Sequence, residues 1–343
     1  MRRLNTALII VLLCTLSYGG IAVGTSTVHD FWDSSLEDIT LRDDAFHGRG
    51  KLPFAEWWYF DAILDNGYSV TIGVRVFSVL GRGNVNMRLN LYDQGSPVIT
   101  SYKIYPMKEF SASAETPIVA LGGKQLIVGS YDTISNHFAY NVTYETPQGA
   151  VSLHFVGCTQ GWKRQQPTGD WWVVVLPRAN VTGTITLENT TMNVTGTGYH
   201  DHNWDVGAAV ALHFGWFWGT FESSSHSVTW AVVYPTRLTQ HPMIVVNEKN
   251  GGYLNIPPET IWFSAQNKQV DHFRLIPRFL NIETMTEKVF LVVNMEVLSV
   301  DHARFVGFIN YWRYHVKCTG SIMMNGHMET IDGVFIAEYL RFR

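Results

Sequence analysis

Between Val28 and Arg343 apolar residues recur at every second position in short runs, and no long stretch repeats them every 3.6 residues. Such a chain buries one face of each extended segment, so it must build antiparallel sheet and close or stack it. Phe138, Tyr140, Val142 and Tyr144 alternate with polar residues, Pro147-Gln148-Gly149 turns the chain, and Val151, Leu153 and Phe155 return it. A second hairpin has Ile185 and Leu187 on one arm, Glu188-Asn189-Thr190 at the turn and Met192 and Val194 on the other. Aromatic residues at 13%, with 12 Trp, against 16% charged residues suit strands and large apolar contact surfaces better than solvated helices. At 343 residues the chain has mass for two cores. The stretch QQPTGDWWVVVLPRAN, residues 165–180, reads as the passage between them. The expected fold is all-β: one barrel over residues 28–180 and a second over 181–343, packed together.

Arg2 and Arg3, the apolar run Ala7 to Leu16 and the small residues Ala22-Val23-Gly24 have the order of a cleaved export signal. An uncleaved anchor is the alternative, although Ala7 to Val23 is short of the roughly 20 residues that span a bilayer. The expectation is a secreted or extracytoplasmic protein whose first 24 residues are a signal or a membrane tether, with no other route to a membrane. Sequons at Asn141, Asn180, Asn189 and Asn193 fit that compartment, and alternation turns Asn141 and Asn193 away from the apolar faces. Cys158 and Cys318 are the only cysteines of the mature chain, either paired or two buried thiols. A net charge of −4 without a Lys/Arg run argues against nucleic acid as a partner.

Carrying the alternation of the second hairpin forward puts Gly196, Gly198, His200, His202 and Trp204 on the face of Met192 and Val194. Thr197, Tyr199, Asp201 and Asn203 take the other, so Asp201 would either stand behind the pocket residues or lie between the barrels, unless the glycines mark a bulge that re-aims the strand. The next strands offer Trp216, Trp218, Thr220 and Glu222 on one face, then Val228, Trp230, Val232 and Tyr234, as neighbours of the histidines. Upstream, Glu56-Trp57-Trp58-Tyr59-Phe60-Asp61 carries bulky rings on both faces, as a strand between two barrels would.

The pair EWWYFD (Glu56 to Asp61) and GTGYHDHNWD (Gly196 to Asp205) resembles the AttH/CrtC family of tandem lipocalin-like proteins. That family includes carotenoid 1,2-hydratases, also called hydroxyneurosporene synthases, and is similar to fungal Diels–Alderases of two-barrel architecture. The resemblance spans about Phe54 to the C-terminus and implies two lipocalin-like barrels. In the hydratases the residues matching His202 and Trp204 are implicated in catalysis, and a Tyr-x-Asp pair on a nearby strand supplies an acid. Here the matching strand reads VTWAVVYP, residues 228–235, with Tyr234 but no Asp two residues on.

Hydrating an isolated alkene requires an acid kept protonated in an apolar site and electron-rich rings beside the cation it creates. Glu222 or a protonated His202 could donate, with Asp201 close by, and Trp204, Trp216, Trp218 and Tyr234 could face the cation; His200, Trp230, Glu56 and Trp58 would complete the ligand pocket. The reaction expected is a hydro-lyase acting on a hydrophobic isoprenoid or lipid without a cofactor. A cyclising or pericyclic isomerase would use the same pocket, and a non-catalytic carrier needs only the barrel. His200-x-His202 shares a strand face as metal ligands do, with His213 or Glu222 as a third donor, but two histidines alone are more often hydrogen-bonded pocket residues, so no metal is expected.

Overall fold

The computed structural model describes residues 35–48, 54–79, 82–134, 136–305 and 309–342; the expected export segment lies outside them. Among the described residues the chain is strand interrupted only by short 3-10 turns, and no helix is long and apolar enough to cross a membrane. Two large antiparallel sheets form, the first a nearly closed barrel and the second a half-barrel, with one small separate hairpin, Gln269–Asp271 with Arg274–Ile276.

The first sheet runs from the edge strand Ser96–Pro106 through Arg82–Asp93, Tyr68–Val79, Phe54–Leu64, Thr190–Val206, Trp171–Leu187, Gly149–Gly157 and His137–Thr146 to Lys124–Asp132 and two short strands. Its inward residues alternate as expected: Trp58, Phe60 and Ala62, then Val70, Ile72, Val74 and Val76, then Val85, Met87, Leu89 and Leu91, all buried in one core. The second sheet places Gly215–Glu222 between His226–Tyr234 and the C-terminal strand His327–Arg341, followed by Ile309–Met324 and Val289–Phe305. Phe217, Phe221, Val228, Trp230, Val232, Trp312 and Tyr314 build its core.

The boundary expected at residue 180 is displaced. Trp171–Leu187 and Thr190–Val206 form one long hairpin, and Thr190–Val206 pairs with Phe54–Leu64 inside the first sheet, so the chain changes sheets after Val206. The turn residues that flank the apolar run 172–176 suggest a passage, but the run is a strand inside the first sheet, buried on both faces. That burial comes from a third cluster, in which Trp162, Trp172, Val174 and Tyr199 of the first sheet pack against Ala231, Met243 and Val245 of the second. Cys158 and Cys318 are buried free thiols. Asn141, Asn180, Asn189 and Asn193 are all exposed, Asn189 at the hairpin turn with φ 72°.

The glycines of Thr190–Val206 let this strand lie tight against its neighbours. A Cβ at Gly198 would stand 2.6 Å from both the Phe155 ring and the Val181 methyl and 2.9 Å from the Asp61 carbonyl. Gly198→Val is therefore expected to lower stability by about 1–3 kcal/mol, the usual cost of overpacking, read as an earlier midpoint in urea unfolding. An unchanged midpoint would mean that the strands separate freely there.

Candidate active site between the barrels

Alternation along Thr190–Val206 divides its polar residues between two environments. On the inner face, His200 and His202 are fully buried in the first barrel. The 3-10 turn Leu41–Asp44 drops Asp44 onto them: the Tyr140 hydroxyl donates to Asp44 Oδ2 at 2.6 Å, His200 Nε2 lies 3.0 Å from the same oxygen, and His202 Nδ1 lies 3.3 Å from Oδ1. His200 Nδ1 faces the Tyr59 carbonyl at 2.9 Å. On the far side of His202, Nε2 meets Glu56 Oε1 at 3.0 Å, while Glu56 also accepts the backbone N–H groups of His47 and Gly48 at 2.9 and 2.8 Å. Burial alone would push the His202 imidazole down, but hydrogen bonds to Asp44 and Glu56 and their negative charges carry it up to about 9. Burial would likewise raise Asp44; the charges and hydrogen bonds of His200 and His202 instead hold it well below the usual carboxylate range. His202 stacks on Trp58 at 4.5 Å, and Trp204 on His47 at 4.0 Å.

This cluster is a closed set of paired charges. His47, Glu56 and His202 do bring ligating atoms within 4.8 Å of one another. His202, however, lies between the carboxylates of Asp44 and Glu56, which favour its protonated form. His213 and Glu222, expected as third ligands beside His200, stand elsewhere: His213 borders the inter-barrel cavity, and Glu222 is bound by Arg178 Nε at 2.8 Å.

The outer face of the same strand meets a cavity of about 1350 Å³ between the sheets. Trp57, Tyr59, Trp172, Asp201 and Asn203 line it from the first sheet, and Trp216, Trp218, Tyr311 and Glu338 from the second. Asp201 Oδ2 accepts Trp172 Nε1 at 2.9 Å and the Tyr199 hydroxyl at 2.8 Å, whereas Oδ1 is held only by Asn203 Nδ2 at 3.3 Å. Burial pushes the Asp201 carboxyl up to about 6 in spite of these donors. Glu338 is ringed by Trp218 Nε1 at 2.9 Å, Arg313 Nη1 at 3.0 Å, Tyr59 Oη at 2.7 Å and the Tyr311 hydroxyl.

The expected site residues thus separate. Asp201, Trp216 and Trp218 face the cavity; His200, His202, Glu56 and Trp204 belong to the interior of the first barrel, and Trp58 packs in that core while also bordering the cavity. The expectation that Trp230 and Tyr234 neighbour the histidines fails: both point into the second core, where Tyr234 reaches Gln240 at 3.4 Å. Their strand alternates as foreseen, but its rings take the inner face of the other sheet. Sequence reasoning passed over Asp44, Glu338 and Arg313. The last two are single charges inside apolar runs (FIAEYL and NYWRYHV), a signal that was present; Asp44 sits in a polar turn that nothing local distinguishes.

Fold and cavity define a lipocalin-like, two-barrel protein with a large cavity between its sheets. No protein-family model and no curated protein matches the chain. Among solved structures, a candidate AttH of Nitrosomonas europaea is similar with a TM-score of 0.68 and 14% identity, over 90% of this chain and 98% of that one. Kievitone hydratase of Nectria haematococca gives 0.55 at 10% identity, over 84% and 88%; CghA with Sch210972 gives 0.54 at 11%, over the same shares. The likeness establishes an AttH-like fold.

Because the His202 pKa is raised on folding, the pairing contributes its full stability below the ordinary value of 6.5 and loses it as pH rises through about 9. His202→Gln is expected to flatten the fall in unfolding free energy between pH 7 and 10. His202→Ala, which strands two buried carboxylates, is expected to cost about 3–5 kcal/mol. Chemical denaturation across pH checks both, and a mutant curve parallel to the wild type would contradict the pairing.

Proposed function

We propose that this protein binds a hydrophobic isoprenoid-type molecule between its barrels and adds water to one of its C=C bonds, with Asp201 as the acid. The observation that carries this reading is a carboxyl tuned to about 6 inside a cavity walled by Trp57, Trp172, Trp216 and Trp218. The Asp201 O–H bond breaks as the alkene π pair takes the proton, and a C–H bond forms on one carbon. The neighbouring carbon becomes cationic beside indole faces, which lower the energy of a cation in a site with little water. A water oxygen attacks that carbon and returns its extra proton to the Asp201 carboxylate, so the net change is one added water. Tyr59, Tyr199 and Tyr311, whose hydroxyls burial holds well above their ordinary pKa, stay protonated and able to orient that water. The presence of a hydratase among the fold neighbours supports the reaction class.

A carrier without chemistry is the second reading, favoured by the cavity's size, which exceeds the roughly 300–1,000 Å³ of usual ligand pockets. Export belongs to the proposal as well, supported by the N-terminal charge and apolar pattern and by four exposed sequons.

Incubation with linear isoprenoids should yield a product heavier by one water. Its rate should fall about tenfold per pH unit above about 6, as Asp201 loses its proton. Asp201→Asn should lose at least 100-fold in kcat, the scale of a lost general acid, with binding retained. A ligand bound and returned unchanged by the wild type would leave the carrier. For export, secretion from a eukaryotic host followed by N-glycosidase treatment should reduce the apparent mass; a protein kept inside the cell without glycans would contradict it.

A further inference from the structure

Among the described residues two cations of the cavity wall have no bonded partner, Arg82, which is exposed, and Arg75, which is half-buried. Arg75, on Tyr68–Val79, lies over the Trp57 ring at 4.8 Å and the Phe305 ring at 5.2 Å, and its side chain makes no hydrogen bond or ion pair among the described residues. Neighbouring Arg88 has Asn90 Oδ1 at 3.2 Å and Asp301 Oδ2 at 3.8 Å, while Glu338 is engaged by Arg313, Trp218, Tyr59 and Tyr311. Burial holds the Arg75 guanidinium below the usual arginine range, and Arg88 acts in the same direction. Glu338 acts on Arg75 through charge but makes no bond to it among the described residues, so this half-buried guanidinium among rings is open to something negative that enters the cavity.

Strand register fixes where that something would lie. Trp57 pairs with Arg75 on one side and Asn203 on the other, and Tyr59 pairs with Gly73 and Asp201. Two strand spacings and two residues therefore separate the Cα atoms of Arg75 and Asp201, about 12 Å along the cavity floor. Gly73 lies on this floor, on the same face as Arg75, and a Cβ built on it meets nothing within 4 Å. The floor is open there because Gly73 brings no side chain.

We infer that the ligand is an amphipathic monoanion, an apolar chain ending in a carboxylate, whose head binds Arg75 between Trp57 and Phe305 while its chain crosses Gly73 to reach Asp201. The inference rests on the apolar-ligand reading above and adds the headgroup and its anchor. Carboxylate suits a single guanidinium, whose two parallel N–H groups match its two oxygens, whereas a phosphate dianion would bring unmatched charge toward Asp201 and Glu338.

Calorimetric titration of the full chain with farnesoic acid, farnesol and farnesyl phosphate tests the assignment. The wild type is expected to bind the acid at least tenfold more tightly than the alcohol or the phosphate. Arg75→Met should bring the acid to the level of the alcohol without weakening the alcohol, and should raise the Tm of the ligand-free protein, since it removes an unpaired charge. Gly73→Leu, placed in open space, should weaken acid and alcohol alike by tenfold or more. Equal binding of acid and alcohol by the wild type would overturn the inference, as would a preference for the acid that survives in Arg75→Met, or tightest binding of the phosphate. Binding of none of the three would remove the apolar-ligand reading with it. Tight acid binding without added water would keep the anchor and remove only the hydration.

Discussion

Arg313 is fully buried, and its Nη1 touches both halves of the molecule at once: Asp61 Oδ2 at 2.9 Å from the first sheet, Glu338 Oε1 at 3.0 Å from the second, and the Tyr59 hydroxyl at 2.7 Å. A guanidinium so placed cannot leave one sheet without stranding a carboxylate on the other, and breaking such a pair costs several kcal/mol. The Ser69–His315 bond at 2.7 Å and the Tyr92–Asp301 bond at 2.8 Å lie on the same seam. These contacts hold the sheets in one relative position, and the cavity beside them keeps its shape because its walls belong to both. The same fixation sets Trp218 and Glu338 opposite Tyr59 and Asp201, so the candidate chemistry depends on a contact that no single strand could provide.

The long strand Thr190–Val206 and its partner Phe54–Leu64 serve two solvents. Their inner residues, His200 and His202 with Glu56, Trp58 and Phe60, are buried in the barrel, where the histidines lie against the carboxylates of Asp44 and Glu56. Their outer residues, Asp201 and Asn203 with Trp57 and Tyr59, face a cavity large enough for a ligand. The difference in tuning follows: Asp44 and Glu56 lie against imidazoles and are held ionised, while Asp201 has only neutral donors and is pushed toward its protonated form. The paired cluster stiffens the strands; the lone acid is left able to exchange a proton.

Period-two alternation determined by itself that the chain is antiparallel sheet in two barrel-like units, that both histidines share one face, and that Asp201 takes the opposite one. Those results need only the pleat, which sends successive side chains to opposite sides of any strand. Which side meets the cavity was decided by tertiary structure alone, because alternation names two faces without saying what covers either. For the same reason alternation could not place Trp230 and Tyr234, whose strand turns its rings into its own barrel and away from the histidines. Residues 165–180 do not form the passage because turn residues around one apolar strand look the same whether the strand links two domains or lies within one sheet covered by another. Asp44, Arg313 and Arg75 acquire meaning only through partners, or the lack of one, far along the chain. A local pattern cannot carry that information, since the cost of a buried charge depends on what the rest of the fold sets beside it.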